Sequence, residues 1–388
     1  MNRLMSVIVG IFLFYGGALE AFYIDKVDKT PCRKDIKLPT DAEIHKCFSL
    51  AKPSFKNEQV TTDPLALQHA VRDAKAFFKR YWKTHQPVIS PQPFSTNVLS
   101  AKKVVDTLTF IDRIIEEDKV SGVYRIHDTD FLEQNFGFIS WKPDHDQVVQ
   151  DGRRRVSQSR IRLTSYVVYK GLGSYEKTAE FPCALYQLMQ EKQKITLTKQ
   201  EIFAGALDTA EYAKRTKSLV WVSRETLEKA MMQGTVLLTM PDNKVRAFNV
   251  NISNGLKFDH GLRNLSKQKI YWFFLERNPE AVSKLQERCV HRKNVIFAGD
   301  LFSLGLGKII ALQYRNRKTK KLELRLGLIG DRGSAFERNL HHLDIFGGTI
   351  EAEDRAALQA HLANFPPLVR SFIVYAKQGA QQAIASTN

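Results

Sequence analysis

From Leu65 to Lys83 the apolar residues Leu67, Ala70, Val71, Ala74, Phe77 and Phe78 recur at the spacing that lines one face of a helix. Val98 to Glu117 repeats the pattern with Val104, Val105, Leu108, Ile111, Ile114 and Ile115, so two amphipathic helices are expected to lay these stripes on a core. From Arg162 onward the period shortens towards two. Strands are predicted over 163–169, 219–222, 235–240, 245–252, 270–274, 309–314 and 322–329, with a last one at 372–375. Short helices interrupt them at Lys199 to Leu207, Pro279 to Arg288 and Ala352 to Ala363, the last stopped by Pro366 and Pro367. Pro31 to Asp63 is polar and turn-rich and reads as a loosely held leader. No internal repeat is visible, and the pattern is helices first, then a mainly β body.

Two aspartates stand out in the last part of that body. Leu326, Leu328 and Ile329 run up to Asp331 like a strand, and Asp344-Ile345-Phe346 meets Gly347-Gly348, so both carboxylates are expected at strand ends. A carboxylate held there by rigid backbone suits acid/base work on a bound polymer. The competing reading is an aspartate that caps a turn.

Composition narrows the partners. The 388 residues are 43% hydrophobic and 26% charged, enough for about two globular domains. Met1 to Ala21, with Arg3, an apolar run from Met5 to Tyr15 and small residues at Gly16, Gly17 and Ala18, reads as a secretory signal too short for a relaxed membrane span. The mature chain is expected to start near Leu19 or Phe22, with no cysteine placed for lipid attachment; an uncleaved anchor is the other reading. Fifty-eight Lys and Arg against 41 Asp and Glu leave +17, which in a cytosolic chain would suggest nucleic acid. Export replaces that partner with an acidic polymer of the envelope, such as the carboxylate-bearing peptidoglycan. Arg153-Arg154-Arg155 and the Arg315–Lys321 cluster could contribute, although the latter lies between two alternating runs and reads first as a solvated hairpin tip. Four cysteines without a C-x-x-C, and histidines without H-E-x-x-H, argue against a metal site. Cys32 and Cys47 are the closest pair for a disulfide, and the adjacent His341 and His342 would point to opposite faces of a strand.

Across roughly Phe131 to Tyr375 the chain resembles the membrane-bound lytic murein transglycosylase A family. Leu163-Thr164-Ser165-Tyr166 resembles its Thr-Gly-Tyr-Tyr strand, and Glu180-Phe181-Pro182 through Tyr186 its Glu-Phe-x-Tyr-Pro-x-Tyr. Glu201-Ile202-Phe203-Ala204-Gly205-Ala206-Leu207 is near-identical to Glu-Ile-Tyr-Ala-Gly-Ala-Leu, and Gln233-Gly234-Thr235 is similar to its Gln-Gly-Ser-Gly strand. Asp300, Asp331 and Asp344 fall where the family's three-aspartate domain has its namesake residues. Departures are Asn251-Ile252-Ser253-Asn254-Gly255, Asp331-Arg332-Gly333-Ser334-Ala335, and a longer interval between Asp331 and Asp344.

The resemblance implies a mainly β chain with a helical N-terminal region: a double-psi β-barrel domain (64–168 and 277–388, after a 1–21 signal and a 22–63 leader) with a second, smaller β domain (169–276) inserted and a groove between them. It implies non-hydrolytic cleavage of peptidoglycan between N-acetylmuramic acid and N-acetylglucosamine, leaving 1,6-anhydromuramyl ends. Asp344 would be the acid/base, with Asp331 supporting and Asp300 structural or supporting. Leu343, Ile345 and Phe346 would desolvate Asp344, and the like charge of Asp331 would help keep it protonated. Thr164, Tyr166, Gln233, Gly234, Thr235 and Asn254 would contact substrate, although Thr and Tyr are common in strands regardless. No cofactor or metal is implied. The expected partners are glycan strands and other envelope proteins, not nucleic acid, and the expected place is the periplasm of a Gram-negative bacterium, peripheral to the outer membrane, without a lipid anchor or a span once the signal is removed. A non-catalytic peptidoglycan-binding scaffold and a paired-carboxylate hydrolase are the alternatives.

Overall fold

The computed structural model describes residues 38–144, 157–190, 194–257, 259, 262, 265–332, 336, 339–351, 354, 356–357, 360 and 363–379. The signal reading, Cys32 and Arg153–Arg155 therefore lie outside the described residues, as does most of the 352–363 helix. Seven helices matter here: α1 (Asp41–Cys47), α2 (Pro64–Tyr81), α3 (Ala101–Asp118), α4 (Thr129–Asn135), α5 (Lys199–Phe203), α6 (Arg224–Gln233) and α7 (Pro279–His291). The strands are β1 (Phe48–Ala51), β2 (Gln59–Val60), β3 (Phe136–Trp141), β4 (Ile161–Leu172), β5 (Cys183–Leu188), β6 (Thr216–Val222), β7 (Thr235–Thr239), β8 (Val245–Ser253), β9 (Trp272–Glu276), β10 (Ile296–Ala298), β11 (Ile309–Arg315), β12 (Leu322–Asp331), β13 (His342–Glu351) and β14 (Leu368–Ala376).

The two amphipathic helices form as read, with ends set by caps. Asp63 accepts from the Ala66 amide ahead of Pro64, and Ser100 accepts from Lys103, so the second helix opens at Ala101 rather than Val98. Their apolar stripes are buried in the main core.

Six strands close a ring in the order β4, β13, β10, β12, β11, β14, with β14 returning to β4 through Leu368↔Arg162 and Val369↔Ile161. Strands β3 and β1 extend the sheet from β14, while β7, β8 and β9 extend it from the second half of β4. A separate pair, β5 and β6, stands beside them. Buried side chains fall into two clusters: one inside and around the ring with the helices, the other built mainly from residues 167–274. Strand β4 serves both, since Val168 packs in the first while Val167 and Tyr169 pack in the second.

Two readings need correction. Residues 38–63 are not a loose leader from Leu38 on: α1 buries Ile44 and Cys47, β1 pairs with β3, β2 pairs with β12, and Phe55 is fully buried against Phe138 and Phe372. Its few apolar residues lack a period, yet each finds a slot in a core made by distant strands. Asp344 is also not at a strand's end. Strand β13 begins at His342 and continues through Gly347-Gly348, where the register with β4 shifts and Gly348 takes φ +86°. The glycines thus absorb a bulge rather than end the strand. Cys47, Cys183 and Cys289 are free thiols.

Candidate active site

Ala298 of β10 is the hinge of the site. It pairs with Asp331 of β12 on one side and with Asp344 of β13 on the other. Directly paired residues share a face of a sheet, so the two carboxylates flank one alanine with Cα atoms about 10 Å apart. Asp331 ends β12 after a register shift, its Oδ1 accepting from the Arg332 amide at 2.7 Å and its carbonyl accepting from Gly299 at 2.9 Å.

Asp344 is held from behind. Arg162 N–H donates to the His341 carbonyl, Trp141 Nε1 to the Leu340 carbonyl at 3.0 Å, Ser165 Oγ to the Ile345 carbonyl at 2.9 Å, and Asn294 to the Phe346 carbonyl. Register pairs Asp344 with Thr164 and Phe346 with Tyr166, whose rings meet at 5.3 Å. Alternation puts His342 on the same face as Asp344. His342 is buried, its Nε2 lies 3.3 Å from Asp344 Oδ1 and hydrogen-bonds Thr164 Oγ1, and its ring rests on Phe336. Oδ1 of Asp344 is buried without a hydrogen-bond partner, while the side chain keeps 20% of its surface open. A carboxyl group so placed, one oxygen enclosed and the side chain still reachable, can deliver or receive a proton.

Asp300 is different. It is buried, its oxygens accept from Phe302 N, Ser303 N and Ser303 Oγ, and burial pushes its carboxyl up while these bonds and one from the Asn339 backbone pull it back. It ties the turn after β10.

The other expected contacts divide. Gln233 Oε1 accepts from the Val167 amide at 2.9 Å, which places the end of α6 beside Tyr166; Gly234 closes that helix at φ +86°, and Thr235 starts β7 opposite Asn249. Asn254 is not brought to this face: its side chain binds the carbonyls of Leu197 and Lys269 and the Leu256 amide, fastening the end of β8. His342 is the residue sequence reading missed. Adjacent histidines reveal no face until the register of β13 is known. No group of His, Cys, Asp and Glu among the described residues could hold a metal ion.

No protein-family model matches the sequence, and no curated protein is significantly similar to it. Solved structures do match. A membrane-bound lytic murein transglycosylase from Agrobacterium tumefaciens superposes with a TM-score of 0.56 at 15% identity, over 88% of this chain and 100% of that one. The chain has the fold of the lytic murein transglycosylases. That fold recurs in E. coli MltA with bound chitohexaose, at TM-score 0.53, 14% identity and 89% and 98% coverage. MltA from Neisseria gonorrhoeae matches at TM-score 0.50, 12% identity and 88% and 92% coverage. The chain thus shares this fold with structures that are only 12–15% identical to it in sequence. No helix among the described residues is long and apolar enough to cross a membrane.

Proposed function

We propose that the protein is an exported peptidoglycan lytic transglycosylase that cleaves the bond between N-acetylmuramic acid and N-acetylglucosamine and leaves 1,6-anhydromuramyl ends. The observation that carries this reading is Asp344, set on a rigid strand with one oxygen enclosed beside His342 and Thr164 and the side chain still open to solvent. Binding of chitohexaose by a protein of the same fold supports a glycan substrate, and the net charge of +17 suits an acidic wall polymer. The glycan would lie between the ring and the 169–276 module, against Tyr166, Gln233 and Thr235.

A glycosidase ordinarily needs two carboxylates, one to protonate the leaving oxygen and one to act as nucleophile or to activate water. Here one suffices. Asp344 donates its proton to the glycosidic oxygen, the C6 hydroxyl of the same muramic ring attacks C1, and the Asp344 carboxylate accepts the C6 proton. The nucleophile is already tethered to the ring it attacks, so its effective concentration far exceeds that of a free alcohol. Thr164 bonds His342, which sits beside the carboxyl, and Asp331, one strand away beyond Ala298, tunes the field around it.

Digestion of purified sacculi in ¹⁸O-water tests the proposal. The expected product is a 1,6-anhydro end without label. Label at C1 of muramic acid would make the protein a hydrolase, and intact sacculi under all conditions would leave a binding scaffold.

A further inference from the structure

The tip of the β11–β12 hairpin gathers positive charge with nothing to offset it. Arg315, Arg317, Lys318, Lys320 and Lys321 are all exposed, and no acid stands among them. The next acid along the chain, Glu323, is buried and accepts from Asn316 Nδ2 at 2.8 Å. Asn316, also buried, accepts at Oδ1 from the Lys318 and Thr319 amides at 2.8 and 3.0 Å, while Lys320 takes φ +61°. Arg315 and Lys320 each donate to a carbonyl of the turn. The turn is thus fixed from within, and among the described residues none of its five cations has an ion-pair partner. Several cations elsewhere do find partners: Arg72 and Lys75 at Asp112, Arg125 at Asp118, Arg246 at Glu276. Five like charges held on one rigid turn repel one another and attract a surface of opposite sign. The tip lies at the end of β12 opposite Asp331, on the order of 30 Å along the strand at about 3.3 Å per residue.

We propose that this tip docks on a membrane surface rich in anionic phospholipid headgroups, whose phosphates its arginines and lysines bind. Charge and shape both favour that partner. The side chains stand on a convex turn, which touches a linear acidic chain at one or two charges at a time. A headgroup layer offers each cation its own phosphate, and its lipids diffuse to the tip. Leu322, exposed next to Lys321, adds an apolar contact at the boundary between headgroups and acyl chains. Docking by the tip turns the Asp331 end of β12 away from the bilayer. The proposal holds whether or not Asp344 cleaves glycan.

Sedimentation of the full chain with lipid vesicles tests this. Phosphatidylcholine vesicles carrying roughly one phosphatidylglycerol in three should bind it at about 0.1 M salt and release it by about 0.5 M, and pure phosphatidylcholine should not bind it. Each tip cation near the surface contributes about fivefold in partition, so Arg317→Gln, Lys318→Gln and Lys321→Gln together should weaken binding roughly a hundredfold. These three side chains make no bond in the turn, so the unfolding midpoint should stay where it is. Because the whole chain carries +17, an equal neutralisation elsewhere is the control: Lys79→Gln, Lys83→Gln and Lys214→Gln, all exposed, should weaken binding by no more than about threefold. Equal losses from the two sets, no binding to the anionic vesicles, or equal binding to both kinds of vesicle overturns the proposal. Retention on purified sacculi that the tip substitutions abolish, with vesicle binding unchanged, would assign the tip to the wall polymer instead.

Discussion

Asp300 and Asp344 both lie beside Ala298, one two residues further along the chain and one across the strand pair, yet their surroundings differ in every respect that matters to a carboxylate. Asp300 is enclosed and accepts bonds from two amides and a hydroxyl of its own turn. Asp344 has a buried oxygen with no hydrogen bond and part of its side chain in solvent. The same connection that starts at Asp300 ends at Lys308, whose ammonium is wholly buried without a hydrogen-bond partner, against the face of Phe94. One loop therefore holds a saturated carboxylate and an unsaturated amine, both remote from solvent. A group whose hydrogen bonds are complete suits the fold, and one with an unmet hydrogen bond and an exit suits the chemistry proposed for Asp344; Lys308 has the unmet hydrogen bond and no exit.

The largest expected effect falls on Asp344. Asp344→Asn keeps the shape but removes the transferable proton, and turnover of sacculi should drop by about 10²–10⁴ or more with an unchanged denaturation midpoint. Wild-type rates of anhydromuropeptide release, measured by mass spectrometry, would end the assignment. Asp300→Ala should do the reverse. Leaving two amides and the Ser303 hydroxyl without their acceptor should cost about 2–4 kcal/mol in urea unfolding while the folded fraction keeps its turnover. Loss of activity without loss of stability would move Asp300 into the site.

Lys308 makes the comparison sensitive to pH. Burial pushes its amine from the ordinary 10.5 down to about 7. Below pH 7 both folded and unfolded chains hold the proton and the burial cost is full. Above it the unfolded chain keeps a proton that the folded one has released, so stability should climb by about 1.4 kcal/mol for each pH unit between 7 and 8.5. Beyond pH 9 the buried Cys47 and Cys289 thiols, raised from 9.0 to about 12, act in the opposite direction. Lys308→Met should flatten the rise and be more stable than the wild type at pH 6; an unchanged profile would mean that the amine finds a partner. The smallest effect is that of Asp331→Asn, which should slow cleavage by roughly tenfold while the product stays 1,6-anhydro and unlabelled, since the residue acts through Asp344. A loss as severe as that of Asp344→Asn would point to a carboxylate pair.

What was legible in the sequence follows from how local each signal is. Helices α2 and α3 were readable because a period and a cap within one segment define them. Strand β12 was readable because Leu322 to Leu328 alternates, and β11 because its apolar run from Ile309 is long and ends at a polar hairpin tip. Strand β10 was not: Ile296, Phe297 and Ala298 are buried on both faces and show no alternation. Strand β1 and the buried Phe55 were missed because their partners lie in β3 and β14, far along the chain. Asp344 could be singled out from its setting in the motif, but its companion His342 could not, because that contact depends on a register fixed by strand β4.

The pairing of β13 with β4 also sets when the site can exist. Ser165 and Ile345, which bind each other, are separated by 180 positions in sequence, and the intervening chain contains all of the second core's buried residues except Ile350. Contacts of such span form slowly, because the loop between them must be closed before they contribute. No fragment that ends before Phe346 contains both halves of the acid's cradle. A growing chain thus has no complete cradle for Asp344 until nearly all of it has been made and folded, so under the proposed function any cleavage waits until the protein is whole.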